Sequence, residues 1–355
     1  MRVATIVGNR PQFIKVAAVS GPLRERHEEI LIHTGQHHDP ELSAVFFEQL
    51  ALPPPDHRLG VAGAGNASQL ARMLAKLAPL LDRLEPDAVL VYGDTNSTLA
   101  GALAAADRDT PLVHVEAGMR SFDRTMPEER NRVLTDQLSR LLLCASPAAV
   151  EHLRAEGVPG EAVVVGDVMV DVALAARTRA LADTSVLERL DLTPGGYLLV
   201  TAHRAVNVDD EDHLEALVTL LESLPDPVVL PLHPRTRARL GAHGLDERAG
   251  LAVQITPPLG YLEFASLLHH AKTVLTDSGG VQKEAYLAEV PCITLRDTTE
   301  WTETVEAGWN TLVGLDASAA LVALAKPRPL MRPELYGDGK AGERVAAAIA
   351  ELSRT

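Results

Sequence analysis

The sequence predicts an α/β protein with two parallel sheets laid down one after the other. Three observations lead there. Short β-branched runs alternate with segments of helical period from one end of the chain to the other. The alternation restarts after a helical stretch near the middle. The residues best suited to chemistry fall just after the strand-like runs. Alternating β and α makes the strands parallel and covers both faces of each sheet with helices. Ligands of such sheets sit beyond the carboxyl ends of the strands. We therefore expect two Rossmann-like domains, residues 1–167 and 168–340, facing a central cleft. A final helix within 341–355 is a candidate to pack back on the first domain.

The elements follow in order. Val3–Val7 and Ile30–His33 read as strands. From Asn66 to Leu84, apolar residues at 70, 73, 74, 77, 80, 81 and 84 repeat at the spacing of one buried helical face. Ala88–Tyr92, Leu112–Val115 and Leu141–Ala145 are further strands. Ser146-Pro147 signals a helix start, a capping side chain followed by proline at the first helical position. Val163–Val165 ends the first series, and the helical stretch Val168–Leu181 leads to the second. Its strands are Tyr197–Thr201, Val228–Leu232, Leu251–Ile255, Thr273–Thr276, Cys292–Leu295 and Thr311–Val313. Its helices are Asp210–Leu224, Tyr261–Ala271 and Val281–Ala288. Pro53-Pro54-Pro55 is a rigid loop.

Composition excludes several classes. With 33 basic and 48 acidic residues among 355, the net charge is −15. A nucleic-acid binder shows the opposite sign or a basic stripe, and an anionic substrate would need a local cluster of cations here. Cys144 and Cys292 lie in or beside apolar strand-like runs with no CxxC partner, which suits buried thiols in a reducing compartment. No apolar run approaches membrane-spanning length, and the first residues do not read as a signal peptide. We expect a cytoplasmic protein.

The most informative stretch runs from Leu275 to Ala285, Leu-Thr-Asp-Ser-Gly-Gly-Val-Gln-Lys-Glu-Ala. A strand stops at Asp277-Ser278. Gly279 and Gly280 leave backbone N–H groups uncovered, and a helix begins. Free N–H groups and the positive helix end converge on one spot, a geometry that binds anions. Glu284, one turn on, is placed to reach a sugar hydroxyl. We read a cradle for a nucleotide-sugar diphosphate, built from Ser278, Gly279, Gly280 and Glu284.

Three acidic positions of the first half fall near strand ends: Asp94, Glu116 and the Glu128-Glu129 pair after Pro127. Carboxylates converging on one rim suit proton abstraction and return. The competing reading makes Asp94 the cap of a helix starting near Thr95–Thr98, and puts Glu128 in the first turn of a helix opened by Pro127. The cations are Arg10, Lys15, Arg132, His203 and Arg204. His203 ends a strand within Thr-Ala-His-Arg. The surroundings of Arg10 and Lys15 match neither G-x-G-x-x-G nor a Walker loop, which disfavours a dinucleotide or a P-loop triphosphate. His37-His38 and His269-His270 lack metal-ligand spacing, and we expect no metal and no cofactor.

The candidate residues sit in longer segments: Gly8-Asn9-Arg10-Pro11, Thr34-Gly35-Gln36-His37, Gly93-Asp94-Thr95-Asn96-Ser97-Thr98-Leu99-Ala100, His114-Val115-Glu116-Ala117-Gly118 and Pro127-Glu128-Glu129-Arg130-Asn131-Arg132. Thr201-Ala202-His203-Arg204, the run from Asp277 to Glu284, and Arg296-Asp297-Thr298-Thr299-Glu300 continue the series. In order and over nearly the whole chain, this series carries a resemblance to the non-hydrolysing UDP-N-acetylglucosamine 2-epimerases. It implies a GT-B architecture and a homodimer. It implies UDP on the second domain, with Phe264 beside the uracil, Glu284 on the ribose, and Ser278 with Gly279 on phosphate. Arg10, Lys15, Asp94, Glu116, Glu128, Arg132 and His203 match the family's catalytic and substrate-contacting positions. The expected activity is interconversion of UDP-N-acetylglucosamine and UDP-N-acetylmannosamine.

The chain departs from the family's best-known branch at His38-Asp39-Pro40, where that branch helps form a second, activating sugar-nucleotide site. We expect that site to be absent. Lys283 and Trp301 are further departures. They resemble the subgroup that contains epimerases of UDP-2,3-diacetamido-2,3-dideoxyglucuronic acid. A GT-B glycosyltransferase, a hydrolysing epimerase and a non-catalytic nucleotide-sugar sensor are the remaining alternatives.

Overall fold

The computed structural model describes residues 1–36, 47, 50, 52–63 and 65–352. The chain splits into two compact units, Met1–Val172 with Tyr336–Thr355, and Ala173–Leu335.

The first unit is built on seven parallel strands. They are β1 (Arg2–Val7), β2 (Glu28–His33), β3 (His57–Arg58), β4 (Ala88–Tyr92), β5 (Leu112–Ala117), β6 (Leu141–Cys144) and β7 (Glu161–Val164). Their order is β3-β2-β1-β4-β5-β6-β7, so the direction of winding reverses between β1 and β4. Loops leaving the carboxyl ends of these two strands turn to opposite sides, opening the crevice where doubly wound sheets bind ligands. The central strands carry little polarity because helices cover both faces; all of Ala88–Tyr92 is buried.

Two helices show how the chain seals this sheet. Helix Asn66–Leu84 has the predicted bounds and buries Met73, Leu77, Leu80 and Leu81. They join Ile6, Val89 and Val91 in one apolar cluster. Helix Asn96–Ala106 is made of small residues and is buried on nearly every side. Its Gly101 lies so close to the sheet that a Cβ would stand 2.8 Å from Val91 Cγ1 and 3.0 Å from Ile6 Cδ1. Helix Ala341–Leu352 packs on helix Arg10–Arg24. The carboxylate of Asp171 accepts from the N–H groups of Ala341 (3.1 Å) and Gly342 (2.8 Å) at its start. A Cβ on Gly342 would meet the Ala18 carbonyl oxygen at 2.0 Å.

The second unit repeats the plan with six parallel strands. They are β8 (Leu198–Thr201), β9 (Val228–Pro231), β10 (Gln254–Thr256), β11 (Thr273–Thr276), β12 (Cys292–Thr294) and β13 (Asn310–Leu312). The order is β10-β9-β8-β11-β12-β13, and here the winding reverses between β8 and β11. Leu198, Val200, Leu230, Leu275 and Ile293 form one face of the core with Leu214, Leu217 and Leu221 of helix Glu211–Ser223.

Several expectations are corrected. Leu251 and Ala252 end a helix, Asp246–Ala252, and the strand is Gln254–Thr256. The acidic Asp246-Glu247 start favours the helix, and its Ala249, not its Leu251, faces the core; Leu251 is 83% exposed. The cap of helix Asn96–Ala106 is Thr95, which accepts from the Thr98 N–H while the Thr98 hydroxyl accepts from the Thr95 N–H. Asp94 is therefore not a cap. The short β3 and helix Pro234–Ala242 were not foreseen. Ser146 and Pro147 begin helix Pro147–Ala155 in the roles expected.

His33, at the end of β2, lies against the rings of Phe13 (5.0 Å between centroids) and Phe47 (6.3 Å). Burial, helped by Arg58, pushes it down to about 4. The unfolded chain therefore takes up a proton near pH 6.5 that the folded chain refuses until about pH 4. This contribution to stability is complete above pH 6.5 and is lost as pH falls through that window. Urea unfolding followed by circular dichroism from pH 7 to pH 4 should show stability falling more steeply for the wild type than for His33→Leu. Equal slopes would show that His33 titrates alike in both states.

Candidate functional site

The first cluster lies at the carboxyl ends of β1, β4 and β5. Gly8 closes β1, with no room for a side chain: a Cβ would stand 2.0 Å from Ser97 Oγ and 2.2 Å from Thr34 Oγ1. Asn9 caps helix Arg10–Arg24, with Arg10 and Pro11 as its first residues. Buried Gln12 then spans the switch point. Its Oε1 accepts from the Gly8 N–H (2.7 Å), and its Nε2 donates to the Tyr92 carbonyl (2.9 Å) and to Thr98 Oγ1 (3.0 Å). One side chain thus joins the β1 loop to the end of β4.

Lys15, one turn further along the helix, pairs with Glu116. Asp94, just after β4, pairs with Arg132 of helix Pro127–Leu138. Burial acts to lower Lys15, but Glu116 and Asp94 outweigh it and hold its ammonium above the usual lysine value. The same balance, with Asp94, Glu129 and Glu116 as partners, raises Arg132. Four of the predicted residues of this unit, Lys15, Asp94, Glu116 and Arg132, are therefore brought together as alternating charges. Arg10 stands half-buried at the helix start.

Glu116 reaches this position through an irregularity. The pairing of β5 with β6 slips between Val115 and Ala117, and Glu116 adopts φ 72°. A bulge re-aims a side chain, and a left-handed non-glycine residue costs about 1–3 kcal/mol. The two glutamates after Pro127 part company. Glu129 is buried and accepts from Ser121 N–H (2.9 Å), Ser121 Oγ (2.9 Å) and Phe122 N–H (3.0 Å). It also lies 3.2 Å from Arg132 Nη1. Glu128 is exposed on the first helical turn and stands outside these ion pairs.

The second cluster lies at the carboxyl ends of β8 and β11. Asp277 is fully buried. Its Oδ2 accepts from the backbone N–H groups of His203 and Arg204 (both 2.9 Å) and from Asn207 Nδ2 (3.2 Å). Asn207 also donates to the Leu295 carbonyl after β12 (3.0 Å). The ring of His203 approaches the same carboxylate, Nδ1 to Oδ1 3.5 Å. One buried carboxylate thus sets the path of the Thr-Ala-His-Arg loop.

Ser278 is the N-cap residue of helix Gly279–Leu287, and its side chain makes no capping bond. The first-turn N–H groups keep the direction an anion needs. The two glycines have different reasons. A Cβ on Gly279 would meet Glu300 Oε1 at 2.2 Å. Glu300 is held by Arg296 Nη1 (2.8 Å), with Arg204 Nη2 at 3.8 Å. Burial acts to raise its carboxyl, but Arg296 and Arg204 prevail and lower it. Gly280 has no positive φ, so no turn conformation requires a glycine there. It is exposed, and a Cβ there would meet only Ser278 Oγ, at an ordinary contact distance of 3.9 Å.

Glu284 is half-buried and lines a small recess with Tyr261, Leu268 and Leu287. Phe264 packs into an apolar cluster with Leu259, Leu267 and Val274. The two departures Lys283 and Trp301 form a contact pair, the buried ammonium 4.2 Å from the indole centroid. Arg296, Glu300 and Gln12 are participants that sequence reasoning did not single out. All three lie inside quoted motifs or within two residues of one, but nothing in a linear pattern separates a residue that lines a site from one that braces it. His37, His38, Asp39 and Pro40, and with them the loop of the activating site, fall outside the described residues. Among the described residues, no group of three or more His, Cys, Asp or Glu could hold a metal ion, and no helix is long and apolar enough to cross a membrane.

Comparison with known proteins bears on this geometry. The family model for UDP-N-acetylglucosamine 2-epimerase matches residues 23–350. A UDP-N-acetylglucosamine 2-epimerase homolog of Methanococcus maripaludis is 43% identical, over 99% of this chain and 100% of its own. The UDP-2,3-diacetamido-2,3-dideoxy-D-glucuronate 2-epimerase of Pseudomonas aeruginosa is 45% identical over the same shares. Among solved structures, the Methanocaldococcus jannaschii UDP-GlcNAc 2-epimerase in complex with UDP-GlcNAc and UDP superimposes with a TM-score of 0.92 at 39% identity. It is covered in full, as is 99% of this chain. The expected α/β fold of GT-B type, with two parallel-sheet domains, is the fold of these structures. The chain belongs to the UDP-N-acetylglucosamine 2-epimerase family.

Proposed function

We propose that the protein is a non-hydrolysing UDP-N-acetylglucosamine 2-epimerase that interconverts UDP-N-acetylglucosamine and UDP-N-acetylmannosamine. The observation that carries this reading is the pair of ion pairs at the first switch point, Lys15–Glu116 and Arg132–Asp94. A hydrogen at C2 of the sugar has no carbonyl beside it in the ring, so direct deprotonation is not available. Expulsion of UDP changes that. The C1–O bond breaks as a base takes the C2 proton, and a C1=C2 double bond forms, giving a 2-acetamidoglucal. UDP then adds back at C1 while an acid delivers a proton to the opposite face of C2. Nothing is oxidised or reduced overall, so no redox cofactor enters the balance.

The roles follow from the chemistry of each group. Asp94, Glu116 and Glu128 supply the general base and acid. Lys15, Arg132 and Arg10 balance the charge that develops as UDP departs, an electrostatic task suited to preorganised donors. On the second unit, Ser278, Gly279 and Gly280 receive the diphosphate at a helix start, with His203 and Arg204 beside them. Glu284 binds the ribose, and Phe264 flanks the uracil. The buried thiols Cys144 and Cys292 support a cytoplasmic setting, and the family resemblance supports a homodimer.

The test is the reaction itself, followed by proton NMR in D2O with UDP-N-acetylglucosamine as substrate. The product should carry deuterium at C2, and EDTA should leave the rate unchanged. A product that keeps its original C2 hydrogen would exclude elimination and re-addition. UDP-2,3-diacetamido-2,3-dideoxyglucuronic acid, assayed in parallel, decides whether the subgroup suggested by Lys283 and Trp301 sets the substrate.

Asp94→Asn, Glu116→Gln and Glu128→Gln each remove a proton acceptor at nearly constant volume. Each should lower turnover by about a hundredfold or more, with a far smaller effect on UDP affinity. Near-normal turnover in all three would end the assignment.

Gly280→Val places a branched side chain over the exposed first turn without touching Glu300. Calorimetry should show UDP binding weakened sharply in a folded protein. Glu284→Ala should weaken it by about 1.5–3 kcal/mol, the range of a hydrogen bond to a charged group. Unchanged affinity in both variants would place the nucleotide elsewhere.

A further inference from the structure

Behind the first cluster lies a buried polar group that the reaction as described does not use. Asp136, one helical turn beyond Arg132, has no exposed surface, and neither has the side chain of His114 on β5. The carboxylate faces two ways. Its Oδ1 lies 2.7 Å from His114 Nδ1. Its Oδ2 accepts from the Gly118 N–H (3.2 Å) and pairs with Arg120 Nη1 (2.7 Å). Arg120 is anchored in turn to Glu156 through Nε (2.8 Å) and Nη2 (2.7 Å).

Each direction ends beside a carboxylate of the site. On one side, His114 Nε2 donates to the Gly93 carbonyl (2.7 Å). Gly93 has φ 62°, and its N–H is already taken by the Val115 carbonyl (3.0 Å). Gly93, the residue that leads into Asp94, is thus held on both its N–H and its carbonyl side. On the other side, Gly118 follows Glu116 by two residues and shares its left-handed backbone, φ 77° against 72°. Gly118 takes this conformation freely, but the strained Glu116 does not persist unless its surroundings hold it. The bond from Gly118 to Asp136 is such a hold, and the Gly118 carbonyl accepts from His152 Nδ1 (3.0 Å).

We infer that Asp136 and His114 are positioning residues for the epimerisation, setting the loops of Asp94 and Glu116 from a single buried carboxylate. This inference rests on the function proposed above. Neither residue touches the ligand; both act through the backbone of the loops that carry the acid and base groups. A displacement of a reacting group by about an ångström is enough to cost two orders of magnitude in rate.

The test compares Asp136→Ala, Asp136→Asn, His114→Gln and the double variant Asp136→Ala/His114→Gln in the full-length protein. Epimerisation and C2 deuterium uptake are measured per UDP-binding site, counted by calorimetry. Asp136→Ala and His114→Gln should each lower kcat tenfold or more, with KM and UDP affinity within about twofold of the wild type. Asp136→Asn should recover most of the rate, because its oxygen still accepts from Gly118 and its amide still faces His114. The double variant should fall no further than the slower single variant, as expected of two groups acting as a unit. Undiminished kcat per binding site in both single variants, or losses that multiply in the double variant, would overturn the inference. If Asp136→Ala does not fold, His114→Gln carries the same criterion alone. A wild type without 2-epimerase activity would overturn the reading beneath it, whereas an active wild type with fully active variants would overturn this inference only.

Discussion

Parallel strand pairing is the constraint on which the rest depends. When every strand of a sheet runs the same way, all of its carboxyl ends share one rim, and each loop there leads into a helix start. Reversal of winding between β1 and β4, and again between β8 and β11, spreads the loops apart at one place in each sheet. The candidate site residues collect at those two places. Lys15 and Asp94 flank the first reversal, and His203 and Ser278 flank the second. Helices packed tightly on the sheets keep those rims rigid; Gly101 marks how close that packing is.

Fixing the loops at the rim takes buried polar side chains with several bonds each. Gln12 joins the loop after β1 to the end of β4. Asp277 gathers the backbone after β8 onto the end of β11. Glu129 holds Ser121 and Phe122. A buried polar group is costly unless its bonding capacity is filled, so each such residue admits one loop conformation and penalises the rest. This places the strained φ of Glu116 in context. The bulge in β5 turns its carboxylate toward Lys15, and bonds around it supply what the backbone alone would resist.

Electrostatics at the rim is local. The chain as a whole carries −15, which repels an anionic ligand at long range. At short range, Lys15 and Arg132 are held charged by carboxylates, and Arg204 and Arg296 stand around Glu300 beside the glycine turn. Cations balanced by carboxylates avoid an uncompensated buried charge and remain available when a phosphate or a departing diphosphate changes the balance.

The sequence by itself determined the fold class, most strands, and helix Asn66–Leu84 to the residue. Those features are written in local periodicity and in capping chemistry. It also determined the positions after the strands, the family, and the residue types that carry charge. Tertiary structure alone decided the strand order, and so which rims open. Sequence spacing could not pair Lys15 with Glu116 or Asp94 with Arg132, since those partners meet only through the order β1-β4-β5. It could not separate Glu128 from Glu129 either, because adjacent residues on a helix face different surroundings that only packing supplies. Leu251 shows the same limit from the other side, apolar in the sequence yet exposed on a helix. Pattern reports what a residue can do, and its neighbours in space decide whether it lines a site, braces one or faces water.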